Sequence, residues 1–329
     1  MIDKLIDRII VEKPLPLFNS LTSIKEKLDY YRQLSREGLS NLSDEDFIKV
    51  HQDITNFFNF QFLAYVDAYP TKLFRISFNK SINKTSGRGG VLKRVSDLLG
   101  PPAEFSTFNR CNLPGERIFY SAVDLNTAVI ETKPTYLDVI TISEWKIKEG
   151  QQLMMYGVFN HPDIIDKTKQ AKDAYDGYLL EMDKAHPNNY ELFDTIIRFV
   201  TEEFIKPVPK DKPKEYLFSA IFSSGIFRIP TNGVRMEAIC YPSIQRKYGK
   251  SNIAIINSLV LPKFQLEAIT TYDVLNQDYN IDPTTDEGIL KVFRAFERIT
   301  EFDIENDKIV YPTPEFQIQQ AMERIMKRS

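Results

Sequence analysis

The sequence predicts an α+β protein in which helices precede a strand-forming region and interrupt it once. Three observations carry this. Apolar residues recur at helical spacing through roughly the first 60 residues, before any strand pattern begins. Short β-branched and aromatic runs then follow, among them Leu73-Phe74-Arg75-Ile76, Ile118-Phe119-Tyr120 and Val139-Ile140-Thr141-Ile142. Between 162 and 206 the period returns to that of helices, and strand patterning resumes afterwards.

In chain order, Ile2, Leu5, Ile6, Ile9 and Ile10 share one helical face, and the element ends before Pro14. A second helix spans 20–36 and stops at Glu37-Gly38. A third starts at Ser43, where Asp44, Glu45 and Asp46 suit a first turn, and presents Phe47, Val50, Ile54, Phe57 and Phe58 on one side. Residues 1–69 thus form an N-terminal helical region whose apolar face must pack on the domain that follows. Lys84-Thr85-Ser86-Gly87-Arg88-Gly89-Gly90 lacks the spacing and ending of a phosphate-cradling loop, and reads as a flexible connection or a lid.

Strands are expected at 139–143 and 145–147, ending at Glu149-Gly150. Ile164, Ile165, Ala171, Tyr175, Leu179 and Leu180 suggest one helix, and 190–205 another. Pro207, Pro209 and Pro213 among lysines read as an exposed linker. Residues 157–212 are therefore a helical insertion into a domain running from 70 to 262. Within the remainder, 216–222 is amphipathic, 238–241 is a short strand and 253–256 a buried one. The C-terminal extension, 263–329, is expected to be mainly helical, with helices at 288–298 and 315–327.

The chemistry centres on residues 109–131. A turn-forming Asn112-Leu113-Pro114-Gly115 segment gives way to a strand, then to a helix for which Asp124 is the N-cap and Ala128 and Val129 the buried face. Arg110 falls at a loop edge, and Glu131 near the end of the helix, where a carboxylate gains nothing from the dipole. Glu131 is poorly placed for a purely structural acid.

Arg110, Asn112, Gly115, Tyr120 and Ala128 to Glu131 resemble the signature run of the RES domain family, named for an arginine, a glutamate and a serine. Upstream, Leu73-Phe74-Arg75-Ile76 looks like the strand with the first signature arginine; downstream, Cys240-Tyr241-Pro242-Ser243, with Gly249 and Ser251-Asn252, looks like the serine segment. The likeness covers roughly 70–150 and 213–262, and departs at Phe108-Asn109 and Cys111, where the family has glycines and an aromatic residue. Each residue alone has a bland reading: Glu131 as a solvated helix residue, Arg75 as a strand-edge ion-pair partner, Ser243 as a turn residue. Their joint occurrence in family order favours one site.

The resemblance implies a compact mixed-sheet domain similar to ADP-ribosyltransferases, acting on NAD as a substrate with no tightly bound cofactor. It implies catalytic roles for Arg75, Glu131 and Ser243. Arg110, Asn112, Tyr120, Tyr241 and Asn252 would bind NAD, with Arg75 and Arg110 holding the pyrophosphate and Tyr120 and Tyr241 forming walls for the nicotinamide or ribose. NAD cleavage by a toxin or growth-inhibiting effector is expected, with ADP-ribose passed to water or phosphate. Transfer to a protein and a non-catalytic scaffold are the alternatives. The family also implies a separate antitoxin with a helix-turn-helix domain.

Composition limits the other classes. A formal net charge of −3 gives no general attraction for polyanions, so direct nucleic-acid binding is not expected. Cys111 and Cys240 have no metal-ligand spacing and make no disulfide framework of the secreted kind. No run of about 18 apolar residues occurs, and no long apolar segment follows Met1-Ile2-Asp3-Lys4, so the expectation is a cytoplasmic protein without a membrane partner, free to form a homo-oligomer. His51, His161 and His186 lie outside the signature blocks, which leaves no Ser-His-Asp or Cys-His arrangement.

Overall fold

A computed structural model describes residues 21–58, 71–79, 90–136, 138–185, 190–229, 235–275 and 293–311. The helices expected at 2–10 and 315–327 and the glycine-rich stretch up to Gly89 lie outside them.

Helix α1 (Leu21–Glu37) buries Ile24, Leu28 and Tyr31, a one-sided stripe at intervals of four and three. Helix α2 (Asp44–Phe57) begins as its sequence dictates: the Ser43 hydroxyl accepts from the Asp46 amide at 3.1 Å, and three acids occupy the first turn. These helices pack on α5 (Tyr190–Ile205) and α6 (Leu217–Arg228), with the Tyr31 ring 5.4 Å from those of Phe57 and Phe218.

The strands are β1 (Lys72–Phe78), β2 (Ile118–Ala122), β3 (Val139–Ile147), β4 (Met155–Gly157), β5 (Ala238–Pro242), β6 (Ser251–Ile256), β7 (Phe264–Val274) and β8 (Phe293–Ile299), with α3 (Leu125–Thr132) between β2 and β3. They form one sheet in the order β4-β5-β6-β2-β1-β3-β7-β8. All neighbours are antiparallel except β4 and β5, so the protein is α+β with a mixed sheet. A parallel pair needs a long crossover; α4 (Lys169–Ala185), α5 and α6 supply it, which explains why helical sequence is inserted between two strands.

Period-two alternation on β1 sends Leu73 into the large core beneath these helices, and Phe74 and Ile76 towards a second cluster with Ala128, Val129 and Ile130 of α3. No helix among the described residues is long and apolar enough to cross a membrane.

Three expectations are corrected. The region after residue 262 is not mainly helical among its described residues: β7 pairs with β3 along its length, and β8 extends the sheet. The described part of the helix expected at 288–298 is strand, since Phe293, Arg294 and Ala295 pair with Val274, Asp273 and Tyr272. Residues 216–222 are not amphipathic either: Leu217 to Phe222 open α6 and are all buried, because α2, α5 and Tyr156 of β4 pack around that helix.

Candidate functional site

The site lies where the sheet splays. Strand β1 runs with β3 from Lys72↔Lys146 to Phe78↔Ile140, yet meets β2 at the single register pair Phe74↔Ala122. Beyond that pair the backbones part, and the missing ladder bonds need other partners. Arg75 supplies one side of them. Its Nη1 donates to the Tyr120 carbonyl of β2 at 2.7 Å, while Nε and Nη2 donate to the carbonyls of Leu98 and Leu99 at 3.0 and 3.2 Å. The guanidinium lies 5.2 Å from the centre of the Phe119 ring. Burial pulls its pKa down to about 10, which leaves it a cation at neutral pH. Three of its five N–H groups are committed, which leaves one on each Nη, and the residue lines a cleft at the splay.

The resulting cleft, about 240 Å³, is lined by Arg75, Arg110, Tyr120, Glu131, Tyr241 and Asn252, with Tyr216, Asn109 and neighbouring residues. Six of the eight site residues expected from sequence therefore meet in one cavity. Ser243 and Asn112 do not line it.

Glu131 is delivered by α3. The Asp124 carboxylate caps that helix, accepting from the Thr127 amide at 2.8 Å and hydroxyl at 2.9 Å, and Lys133 ends it in the left-handed region at φ 46°. The carboxylate is held from across the sheet. The hydroxyl of Ser243, fully buried behind the cleft wall, donates to Oε1 at 2.5 Å, and Asn252 Nδ2 donates to the same oxygen at 3.0 Å. Both bonds fall on Oε1, and neither uses Oε2. Ser243 and Asn252 keep their places because β5 and β6 pair in the register Tyr241↔Asn252 and Pro242↔Ser251. Ser243 is thus a positioning residue behind the wall.

Arg110 is anchored differently. Its Nη1 and Nη2 donate to the carbonyls of Phe204 and Lys206 at the end of α5, the latter at 3.3 Å; a cation there also suits the helix dipole. Its head lies 5.1 Å from the centre of the Tyr216 ring and 6.0 Å from that of Tyr241. Burial pushes the Tyr241 phenol well up; the Glu131 charge adds to that and Arg110 opposes it.

Asn112 is a correction. Its Nδ2 faces Ser106 Oγ and the carbonyls of Thr107 and Leu113 at 2.8 to 3.0 Å, and its Oδ1 accepts from the Tyr120 hydroxyl at 2.8 Å. A short turn places those acceptors within reach of the amide and leaves nothing for a ligand. The Tyr120 hydroxyl also accepts from the Cys111 amide at 2.8 Å, so only the Tyr120 ring is offered to the cleft. Tyr120→Phe should therefore unpair two buried groups and destabilise the protein by about 1–3 kcal/mol. Urea unfolding measures this, and an unchanged midpoint would contradict it.

Sequence reading missed Tyr216 and Asn109. Tyr216 sits just before a buried helix, where an aromatic residue reads as core, and only the crossover brings it beside Arg110. Asn109 stands at one of the departures from the family run; a backbone bridge to Asn112 fixes it in the loop bordering the cleft, where it stays exposed. Among the described residues, no group of three His, Cys, Asp or Glu side chains is placed to hold a metal.

No protein-family model, curated protein or solved structure matches this chain.

Proposed function

We propose that the protein cleaves NAD at the bond between nicotinamide and ribose and passes the ADP-ribosyl group to water or phosphate, on a domain similar to ADP-ribosyltransferases. The observation that carries this reading is the Glu131 carboxylate, fixed at Oε1 by Ser243 and Asn252, in a cleft that two arginines also line.

NAD starts as a pyridinium cation, and when the C1′–N1 bond breaks its electron pair leaves with the ring as neutral nicotinamide. The leaving group needs no proton, so a site without a histidine suffices. Positive charge develops on the ribose instead, and a fixed carboxylate offsets it without having to reorganise. Oε2 would also accept from a ribose hydroxyl. Water or phosphate then adds to C1′, and water's surplus proton goes to solvent. The remaining N–H groups of Arg75 and of Arg110 would bind the pyrophosphate.

A scaffold has no physical need for an acid held by two donors beside two partly buried cations. A growth-inhibiting effector kept in check by a separate partner would use the same chemistry.

The test is to incubate purified protein with NAD and identify the products by mass. Nicotinamide with ADP-ribose, or with its 1″-phosphate when phosphate is present, is the expected result; intact NAD would refute the proposal. Ser243→Ala should lower turnover roughly tenfold at unchanged NAD affinity, because Asn252 alone would hold Oε1. Equal turnover in this variant would remove Ser243 from the positioning of Glu131.

A further inference from the structure

We infer that Tyr216, with Arg110 behind it, is the wall that receives the adenine ring of the substrate, so that NAD lies with its nicotinamide end at Glu131 and its adenine end at the inserted helices. The inference rests on the NAD reading above and adds to it a direction and a specificity-determining residue.

The order of groups along the cleft carries it. Glu131 is held by Asn252, the register partner of Tyr241, while Arg110 lies 6.0 Å from the Tyr241 ring and 5.1 Å from that of Tyr216, so the contacts run from Glu131 through Tyr241 to Arg110 and Tyr216. Nicotinamide in NAD is a cation, attracted to the carboxylate and repelled by a guanidinium. Adenine is neutral, and stacks on tyrosine rings and guanidinium planes alike. The pyrophosphate between them is anionic and belongs beside the arginines. Only one direction of NAD satisfies all three preferences.

Tyr216 is also built to stay in place. It ends the 3-10 turn Pro213–Tyr216, whose Glu215 is buried and accepts from the amides of Leu39 and Ser40 at 3.1 and 2.9 Å. Arg110 is fixed to the end of α5 by the carbonyls of Phe204 and Lys206. The Lys206 ammonium is in turn tied to Ser35 of α1 at 2.7 Å and to Glu203 at 3.1 Å. The crossover helices thus hold both members of the wall, and among the described residues no side chain takes the Tyr216 hydroxyl. A half-buried ring facing a cleft beside a held cation is a stacking platform.

The test compares two fragments of NAD by calorimetric titration in the Glu131→Gln background, which keeps the second fragment intact. ADP-ribose carries adenine without nicotinamide; nicotinamide mononucleotide carries the reverse. Tyr216→Leu should weaken ADP-ribose roughly tenfold and change the mononucleotide by less than about twofold, while Tyr216→Phe restores most of the ADP-ribose affinity. Loss of mononucleotide affinity alone would reverse the direction. Equal loss of both, equal effects of Leu and Phe, or failure of ADP-ribose to bind protein with intact Tyr216 would each overturn the inference. Nicotinamide release by the unmodified protein is scored separately. NAD cleavage with an unaltered ADP-ribose affinity in Tyr216→Leu leaves the proposed function standing without this wall, and binding without cleavage does the reverse.

Discussion

Glu131→Gln should cut the turnover of NAD by at least about a hundredfold while changing its dissociation constant by no more than about threefold. The two donors that hold the carboxylate both address Oε1, and a glutamine oxygen can take that place without disturbing Ser243 or Asn252. The amide nitrogen would then occupy the position of Oε2 and present a donor where an anion had been. Ground-state contacts with the ligand largely survive such a change. What disappears is the interaction that grows as charge develops on the ribose, and a hundredfold loss corresponds to about 2.7 kcal/mol of barrier. Single-turnover nicotinamide release and equilibrium NAD binding, measured side by side, check the split. Loss of binding with intact turnover would contradict the role assigned to the carboxylate.

Arg75→Lys should damage both ligand use and stability, although the charge is kept. The arginine bridges two parts of the protein: β1, which carries it, and the carbonyls of Leu98 and Leu99 at the end of a 3-10 turn and of Tyr120 on β2. An ammonium on a flexible stem cannot reach three divergent acceptors and still offer a planar fork to a pyrophosphate. Losing one charge-assisted bond to the ligand should raise the NAD concentration needed by about ten- to a hundredfold, and leaving buried carbonyls unpaired should lower unfolding free energy by about 2–3 kcal/mol. Chemical denaturation reads the second effect, and kinetics under conditions where the variant is still folded read the first. A variant with wild-type stability and wild-type use of dilute NAD would show that Arg75 does neither task.

Much of the site was legible because its local signals are strong. Asp124 before Leu125 and Ala128 specified a capped helix, and the cap is formed by the bonds expected of it, which fixes Glu131 in the last turn. The resemblance implied a catalytic role for Ser243, and its hydroxyl donates to Glu131 from outside the cleft lining. Asn112 was assigned to NAD because it matches the signature run, whereas its neighbours in the turn consume the amide. Tyr216 could not be found in this way, since its place depends on the crossover that closes the parallel pair β4 and β5.

The fold shows the same division. Helices α1 and α2 and strands β1, β3, β5 and β6 follow from periodicity and breakers. The strand β8 does not: residues 288–298 space their apolar groups as a helix would, but pairing with β7 prevails, helped by the ion pair of Arg294 with Asp273 across the register at 2.5 Å. Once β7 is present, its open edge needs a partner, and β8, the next strand along the chain, supplies it.

The central claim is that the cleft between β1 and β2 breaks the glycosidic bond of NAD through Glu131. The most direct measurement is a time course of nicotinamide release from NAD by equal amounts of folded wild-type and Glu131→Gln protein. Steady release by the wild type, with release by the variant at least about a hundredfold slower, is the predicted result. Absence of release from both, or equal release from both, would contradict it.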